Sequence, residues 1–280
     1  MAHILTTAQI DRFREELGRL ERSQATIEKY TRDLGAFFRW LPAGKEVKKE
    51  TVLAYKAELC GRYAPASVNS MLAALGTFFR WAGWPECGVK PLRLQRRLFG
   101  RKERELTRAE YRRLVEAAEA QGDRRLSLLL QLMAATGIRV SEVRYITVEA
   151  ARQGRAEIRL KGKVRTVLLP GRLCRMLLKY AKQNKIASGQ LMLARGGRPM
   201  DRRTIWAGMK RLCRAAGVEA GKVFPHNLRR LFARTFYAAQ RDIARLADLL
   251  GHSSVETTRI YLTVSGEEHL RTVERLGLLC

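Results

Sequence analysis

The chain is short of negative charge, of paired cysteines and of any long apolar run. Aspartate and glutamate total 27 against 54 lysines and arginines, a formal net charge of +27 at pH 7. No carboxylate cluster of the kind that holds two magnesium ions stands out, so neither a metal nor another cofactor is expected. The five cysteines, Cys60, Cys87, Cys174, Cys213 and Cys280, are odd in number, widely spaced and form no CxxC pair. Disulfides and a zinc site are therefore not expected, and reduced thiols in a cytoplasmic protein are. Cys280 is the last residue rather than fourth from the end, which excludes a prenylation signal. The opening MAHILTTAQIDRF lacks a basic stretch followed by an apolar one and does not read as a signal peptide. The longest apolar passage, LSLLLQLMAATGI at 126–138, is interrupted by Gln131 and too short to cross a bilayer. It reads as a buried core helix, and no membrane partner is expected.

What is present is a surplus of positive charge, the signature of a surface built for a polyanion, with nucleic acid as the leading partner. At 280 residues the chain is longer than one compact core usually requires, so two domains are expected. Residues 1–92 read as helices, with an echo between LGAFFRW at 34–40 and LGTFFRW at 75–81. Two copies do not make a solenoid. Phe37, Phe38 and Trp40 read as packing a helical core in which the two similar helices share one interior. A basic stretch follows Pro91, LRLQRRLFGRKERE, without apolar periodicity. It is a linker over 93–104, either simply solvated or crossing a phosphate backbone through Arg96, Arg97, Arg101 and Lys102. Residues 105–280 form the second domain. Thr107 with Glu110 offers a capping box. ITV at 146–148 is strand-like, and AEIRLKGKVRTVLL at 156–169 alternates apolar and charged residues around Gly162, a β-hairpin. Beyond Pro170 the pattern is helical again.

Chemistry concentrates near the end. DIARLADLL at 242–250 stops at Gly251, and Ser253 with Glu256 reads as a capping box that restarts a helix. His252 then lies in a tight turn between helices with its ring free to project outward. Tyr261 falls on the restarted helix, away from the stripe marked by Val255 and Leu262, with Thr257 and Thr258 on its own side. FPHNLRR at 224–230 places His226 and Arg229 on one side of a helical turn, and TGIRVSE at 136–142 adds Arg139 and, three residues on, Glu142. A phosphodiester wants such a set. Guanidinium groups offer paired donors to its two non-bridging oxygens and stay charged. Tyrosine can be the nucleophile, histidine can take its proton, and lysine can protonate the departing sugar oxygen. The bond stored on the tyrosine would let strands rejoin without ATP.

TGIRVSE, the KGKVR hairpin, PHNLRR and LLGHSSVETTRIY, in that order, resemble the tyrosine recombinase family of phage integrases and Xer-type recombinases. ATIEKYTRDLGAFFRWL in the first domain looks like that family's helical core-binding domain, so the resemblance covers nearly the whole chain. It implies a mainly α fold, a helical core DNA-binding domain followed by a mostly α catalytic domain with a small three-stranded antiparallel β-sheet. By the same resemblance Arg139 and Arg229 would grip the scissile phosphate and Tyr261 would attack it. His226 would accept and return the tyrosine proton, His252 would hydrogen-bond a phosphate oxygen, and Glu142 would buttress the arginines. The family lysine is Lys161, with Lys163 the alternative. A histidine often stands in the family where this chain has Arg230. The expected partners are double-stranded DNA with specific recombination sites and further copies of the chain, a tetramer on DNA that passes through a Holliday junction. Leu270, Val273 and Leu276 in EEHLRTVERLGLLC suggest a tail helix, docked either on a neighbouring protomer or on its own domain. A separate arm-binding module before residue 1 is not expected.

Two other functions compete. A type IB topoisomerase-like enzyme shares the nucleophile and phosphate grip but needs no paired sites, and a basic DNA-binding protein without chemistry would carry the same charge. Under each reading binding to duplex DNA weakens steeply with salt, with a log–log slope of about −0.9 per phosphate neutralised. A nearly flat titration between low and moderate salt would contradict the electrostatic argument.

Overall fold

The computed structural model describes residues 2–94, 105–160, 163–194, 196–252, 254–262 and 275, the side chains of 160 and 163 excepted. Outside the described residues lie Arg96, Arg97, Arg101 and Lys102, Lys161 and Gly162, Ser253 and, apart from Arg275, the tail from 267; the Lys163 side chain lies outside them too. The chain divides into two compact units, Met1–Arg96 and Arg97–Cys280, a division that falls inside the expected linker.

The first unit consists of α1 (Thr7–Arg19), α2 (Gln24–Trp40), α3 (Lys49–Arg62) and α4 (Pro65–Trp81). A two-residue strand β1 (His3–Ile4) pairs antiparallel with β2 (Glu46–Val47) and ties the start of the chain to the α2–α3 connection. Thr6 caps α1 through a reciprocal box with Gln9, and Pro65 opens α4 at a position where no backbone donor is missed. The echoed segments form the last turns of α2 and α4, which pack on each other. Leu34 and Leu75, and Phe37 and Phe78, are all at most 1% exposed, and Phe37 meets Phe79 edge-on with ring centres 6.2 Å apart. The aromatics pack the core, as the sequence suggests.

The second unit opens with α5 (Arg108–Ala120), capped by the expected box between Thr107 and Glu110. It packs on α6 (Arg124–Thr136), whose Leu129, Leu130, Leu132 and Met133 are fully buried at the centre of the core. Then come α7 (Val148–Gln153), the hairpin strands β3 (Arg155–Leu160) and β4 (Lys163–Leu168), α8 (Gly171–Gln183) and α9 (Arg202–Ala216). The chain continues through α10 (Pro225–Gln240), α11 (Ile243–Leu250) and α12 (Val255–Arg259). Register pairs Arg155 with Leu168 and Leu160 with Lys163, so Ala156, Ile158, Val167 and Leu169 face the core while Glu157 and Arg159 face solvent.

Two local expectations need correction. Among the described residues the β3–β4 sheet has two strands, and 146–148 does not supply a third. Thr147 makes one isolated bridge to Gln190, but its hydroxyl accepts the amide of Ala150, and that N-cap commits Val148 to α7. At the other end, the N-cap of α12 is Ser254, which accepts from the Glu256 amide, one residue on from the position expected. No helix among the described residues is long and apolar enough to cross a membrane.

Gly137 ends α6 in the left-handed region, φ 64°, and passes α10 so closely that a Cβ there would sit 2.5 Å from Phe232 Cδ1 and 3.0 Å from Leu250 Cδ2. Strain and overpacking together put the cost of Gly137→Ala at about 2 to 4 kcal/mol. Urea unfolding of the variant is expected to show that loss, and an unchanged midpoint would refute the close approach.

Candidate active site

Four segments distant in sequence supply the site: the end of α6 with the turn after it, strand β4, the first turns of α10, and the α11–α12 turn with the residues beyond it. Arg229 is its centre. It is 1% exposed, the largest fully buried side chain among the described residues. A bare buried guanidinium would be costly, so its neighbours are informative. Nη1 donates to Gly137 O at 2.6 Å and Nη2 to Leu250 O at 2.8 Å. Those carbonyls close α6 and α11, where helices leave acceptors without intrahelical partners and carry the negative end of their dipole. Desolvation, and after it the charge of Arg139, lowers Arg229 to about 10, which leaves it charged at neutral pH.

His252 completes the grip, with Nε2 2.7 Å from Arg229 Nη2 and Nδ1 2.8 Å from Thr258 Oγ1. A guanidinium can only donate, so Nε2 is the acceptor and the ring hydrogen sits on Nδ1, donated to the threonine. The ring is therefore neutral. Desolvation, followed by the charges of Arg229, Arg139 and Arg165, lowers His252 to about 4. The sequence expectation of an outward ring is corrected: bonds at both nitrogens hold it inward.

Tyr261 also differs from its expected setting. α12 ends at Arg259, and Tyr261 lies in the turn after it, 7% exposed. Val255 is 40% exposed and Thr258 is fully buried, so the inward side of this short helix carries Thr258 and Tyr261 rather than the apolar residues. What draws Tyr261 inward is a small cluster of Ala233, Leu246 and Leu250 on α10 and α11, together with the two histidines. Its ring stacks on His252 at 5.5 Å between centres, lies 5.1 Å from the His226 ring, and has the Arg229 guanidinium carbon 5.9 Å from its centre. His226, second in α10 after Pro225, keeps part of its ring open to solvent; desolvation, then Arg230, Arg229 and Arg139, lower its pKa.

Glu142 is 2% exposed and is the acidic counterpart of the cluster. It accepts the Arg139 backbone amide at 2.7 Å, Arg139 Nη1 at 2.9 Å and Arg165 Nη2. Burial by itself would raise this carboxyl, yet the bonds from Arg165 and Arg139 hold it below the usual carboxylate range. Arg139 keeps 42% of its side chain exposed and so faces outward from this anchor.

Arg165 is the residue that the sequence reading missed. Its Nη1 donates to Leu249 O at 2.9 Å, so it takes one of the terminal carbonyls of α11 while Arg229 takes the next. It thereby links the hairpin, Glu142 and the His252 turn, and Gly251 leaves the room: a Cβ there would collide with the Arg165 side chain. A signal existed, because Arg165 has the inward parity of Val167 and Leu169, where a charge needs buried partners. The structure thus brings together Arg139, Glu142, His226, Arg229, His252 and Tyr261. The Nε groups of Arg165, Arg229 and Arg230 are buried without an acceptor, so an anion entering here meets surplus donors and surplus charge.

Residues 104–268 match the phage integrase family, and residues 10–86 match the phage integrase N-terminal SAM-like domain. Tyrosine recombinase XerA of Thermococcus kodakarensis is 30% identical over 280 residues, which cover 96% of this chain and 95% of that protein. The fold is shared with a lambda integrase tetramer bound to a Holliday junction, at TM-score 0.72 and 20% identity, covering 91% of this chain and 76% of that one. It is shared also with the XerH site-specific recombinase bound to difH substrate, at TM-score 0.68 and 18% identity, covering 96% and 84%.

The low value at His252 has a sign in stability. Its folded pKa lies below the ordinary 6.5, so the folded state resists protonation and loses stability as pH falls from 6.5 toward 4. His226 contributes in the same direction. Melting temperatures at pH 7.5 and 5 are expected to differ more for the wild type than for His252→Gln, and equal differences would contradict the assigned tautomer.

Proposed function

The chain belongs to the phage integrase family of tyrosine recombinases, and on that premise we propose that it is a site-specific recombinase that cuts and rejoins duplex DNA through a phosphotyrosine at Tyr261. The observation that carries this reading is the packing of Tyr261 between His226 and His252 and over Arg229. Phosphate displacement needs a nucleophile, a proton acceptor and fixed positive charge within one side-chain length of each other.

In the proposed reaction Arg139 and Arg229 bind the two non-bridging oxygens of the scissile phosphate. Tyr261 Oη attacks phosphorus and its proton passes to His226, which desolvation and neighbouring arginines keep in the basic form. The bond to the 5′ oxygen breaks, and that oxygen takes a proton from Lys161, with Lys163 as the alternative donor. A 3′-phosphotyrosine remains, which conserves the energy of the broken bond, and attack by the 5′ hydroxyl of a second duplex reverses the step without ATP. The phosphate also changes His252. Its negative charge favours the protonated ring, so Nε2 can donate to a phosphate oxygen in place of accepting from Arg229.

The first unit is proposed as the core DNA-binding domain, with Arg96, Arg97, Arg101 and Lys102 crossing the phosphate backbone between the two units. Two duplexes and four active sites imply a tetramer and a Holliday junction, the assembly in which the lambda integrase relative was solved. The protein would work on DNA in the cytoplasm.

Covalent trapping on fragmented host DNA would recover the target, which can then be built into a nicked suicide duplex. Wild-type protein is expected to give an SDS-resistant protein–DNA adduct, and Tyr261→Phe is expected to bind the duplex and trap none. An adduct with the variant would assign the nucleophile elsewhere.

A further inference from the structure

Arg230 touches no reacting atom in the reaction above, yet it reaches the residue before the nucleophile. We propose that Arg230 is a positioning residue for Tyr261, holding the Ile260–Tyr261 peptide from an anchor on the buried carboxylate of Glu105. The inference rests on the recombinase reading and deepens it.

The geometry is as follows. Arg230 follows Arg229 on α10, one helical turn beyond His226, with only 23% of its side chain exposed. Nη2 donates to Ile260 O at 3.2 Å. That carbonyl belongs to the same planar peptide unit as the Tyr261 amide, which itself donates to Thr258 O at 3.0 Å. A rigid plane held at both its oxygen and its nitrogen has little freedom left, so these bonds help to fix the Tyr261 Cα, from which the ring reaches His226 and His252. The Ile260 side chain is itself 60% exposed.

The anchor lies on the other side of the guanidinium. Arg230 Nη1 is 3.9 Å from Glu105 Oε1, and Arg234, one turn further along α10, pairs with Glu105 Oε2. Glu105 is 7% exposed and stands just before α5. A buried carboxylate between two arginines from one helix face has no low-energy alternative, so it fixes where Arg230 can reach. The same guanidinium stands near both ends of the proposed proton transfer. Its charge is the foremost electrostatic influence on His226, after desolvation, and it is itself stabilised by negative charge on Tyr261. Geometry and charge therefore favour the same event, a phenolic proton leaving toward a basic His226.

The test is single-turnover adduct formation on the nicked suicide duplex at saturating protein, followed across pH, with DNA binding and thermal melting measured in parallel. Arg230→Gln is expected to bind DNA normally and to cleave roughly ten- to a hundredfold more slowly. Its acid limb should move to higher pH, because the charge that held His226 down is gone. Arg230→Lys should restore that limb, since the charge returns, but only part of the rate, since an ammonium lacks the planar fork that spans both partners. Glu105→Gln should slow cleavage without moving the limb. Wild-type rate and an unmoved limb in Arg230→Gln would overturn the proposal. Should that variant melt below the assay temperature, Arg230→Lys and Glu105→Gln decide instead, and wild-type rates in both would overturn it. Loss of the adduct in the wild type, or its appearance with Tyr261→Phe, would remove the recombinase reading beneath it and is read separately from the Arg230 series.

Discussion

One buried guanidinium organises the second unit. Arg229 is held by the last carbonyls of α6 and α11 and by a histidine ring, with only 1% of its surface exposed. Its burial is tolerable because two helix ends converge there with acceptors that nothing else satisfies. The dependence runs both ways. Gly137 and Gly251 must be left-handed to turn those carbonyls toward the arginine, and α10 must begin at Pro225 for Arg229 to project between them. A fold assembled around such a charge cannot lose it without stranding the acceptors.

The surrounding network divides labour by exposure. Glu142, almost fully buried, fixes Arg139 and Arg165 and keeps them from repelling each other apart. Arg165 and Arg229 face inward and set the frame, while Arg139 remains half open. With one carboxylate among three guanidiniums, the site is a net cation, and desolvation first, then that charge, disfavours protonation of its histidines. A bound phosphate would offset that charge and favour the protonated form of His252.

Much of this was readable along the chain. The capping box at Thr107 and Glu110, the glycine stops at 137 and 251, the core helix through 126–136 and the paired aromatic segments all follow from local rules of helix ends and periodicity. The side chains that the structure brings together were also singled out along the chain, because histidines, arginines and a tyrosine in that order and company are rare. Four placements were missed. Thr147 could begin a strand or cap a helix, and both readings satisfy local preference. His252 was expected outward and Tyr261 on a polar face, whereas both turn inward onto Arg229 and α10. Arg165 went unassigned although its strand parity pointed to the interior.

The sequence by itself determined which side chains are available for chemistry, where most helices start and stop, and that the chain carries charge suited to a polyanion, since these depend on side-chain type, near-neighbour spacing and summed charge. Only the tertiary structure decided which groups face each other. Arg165 meets Glu142 and Leu249, Arg230 meets Glu105 and Ile260, and His252 takes its tautomer from Arg229, all across separations of many residues. Those partnerships arise because a buried charge must be satisfied by whatever packing brings within 3 Å, and packing is a property of the whole unit rather than of any segment.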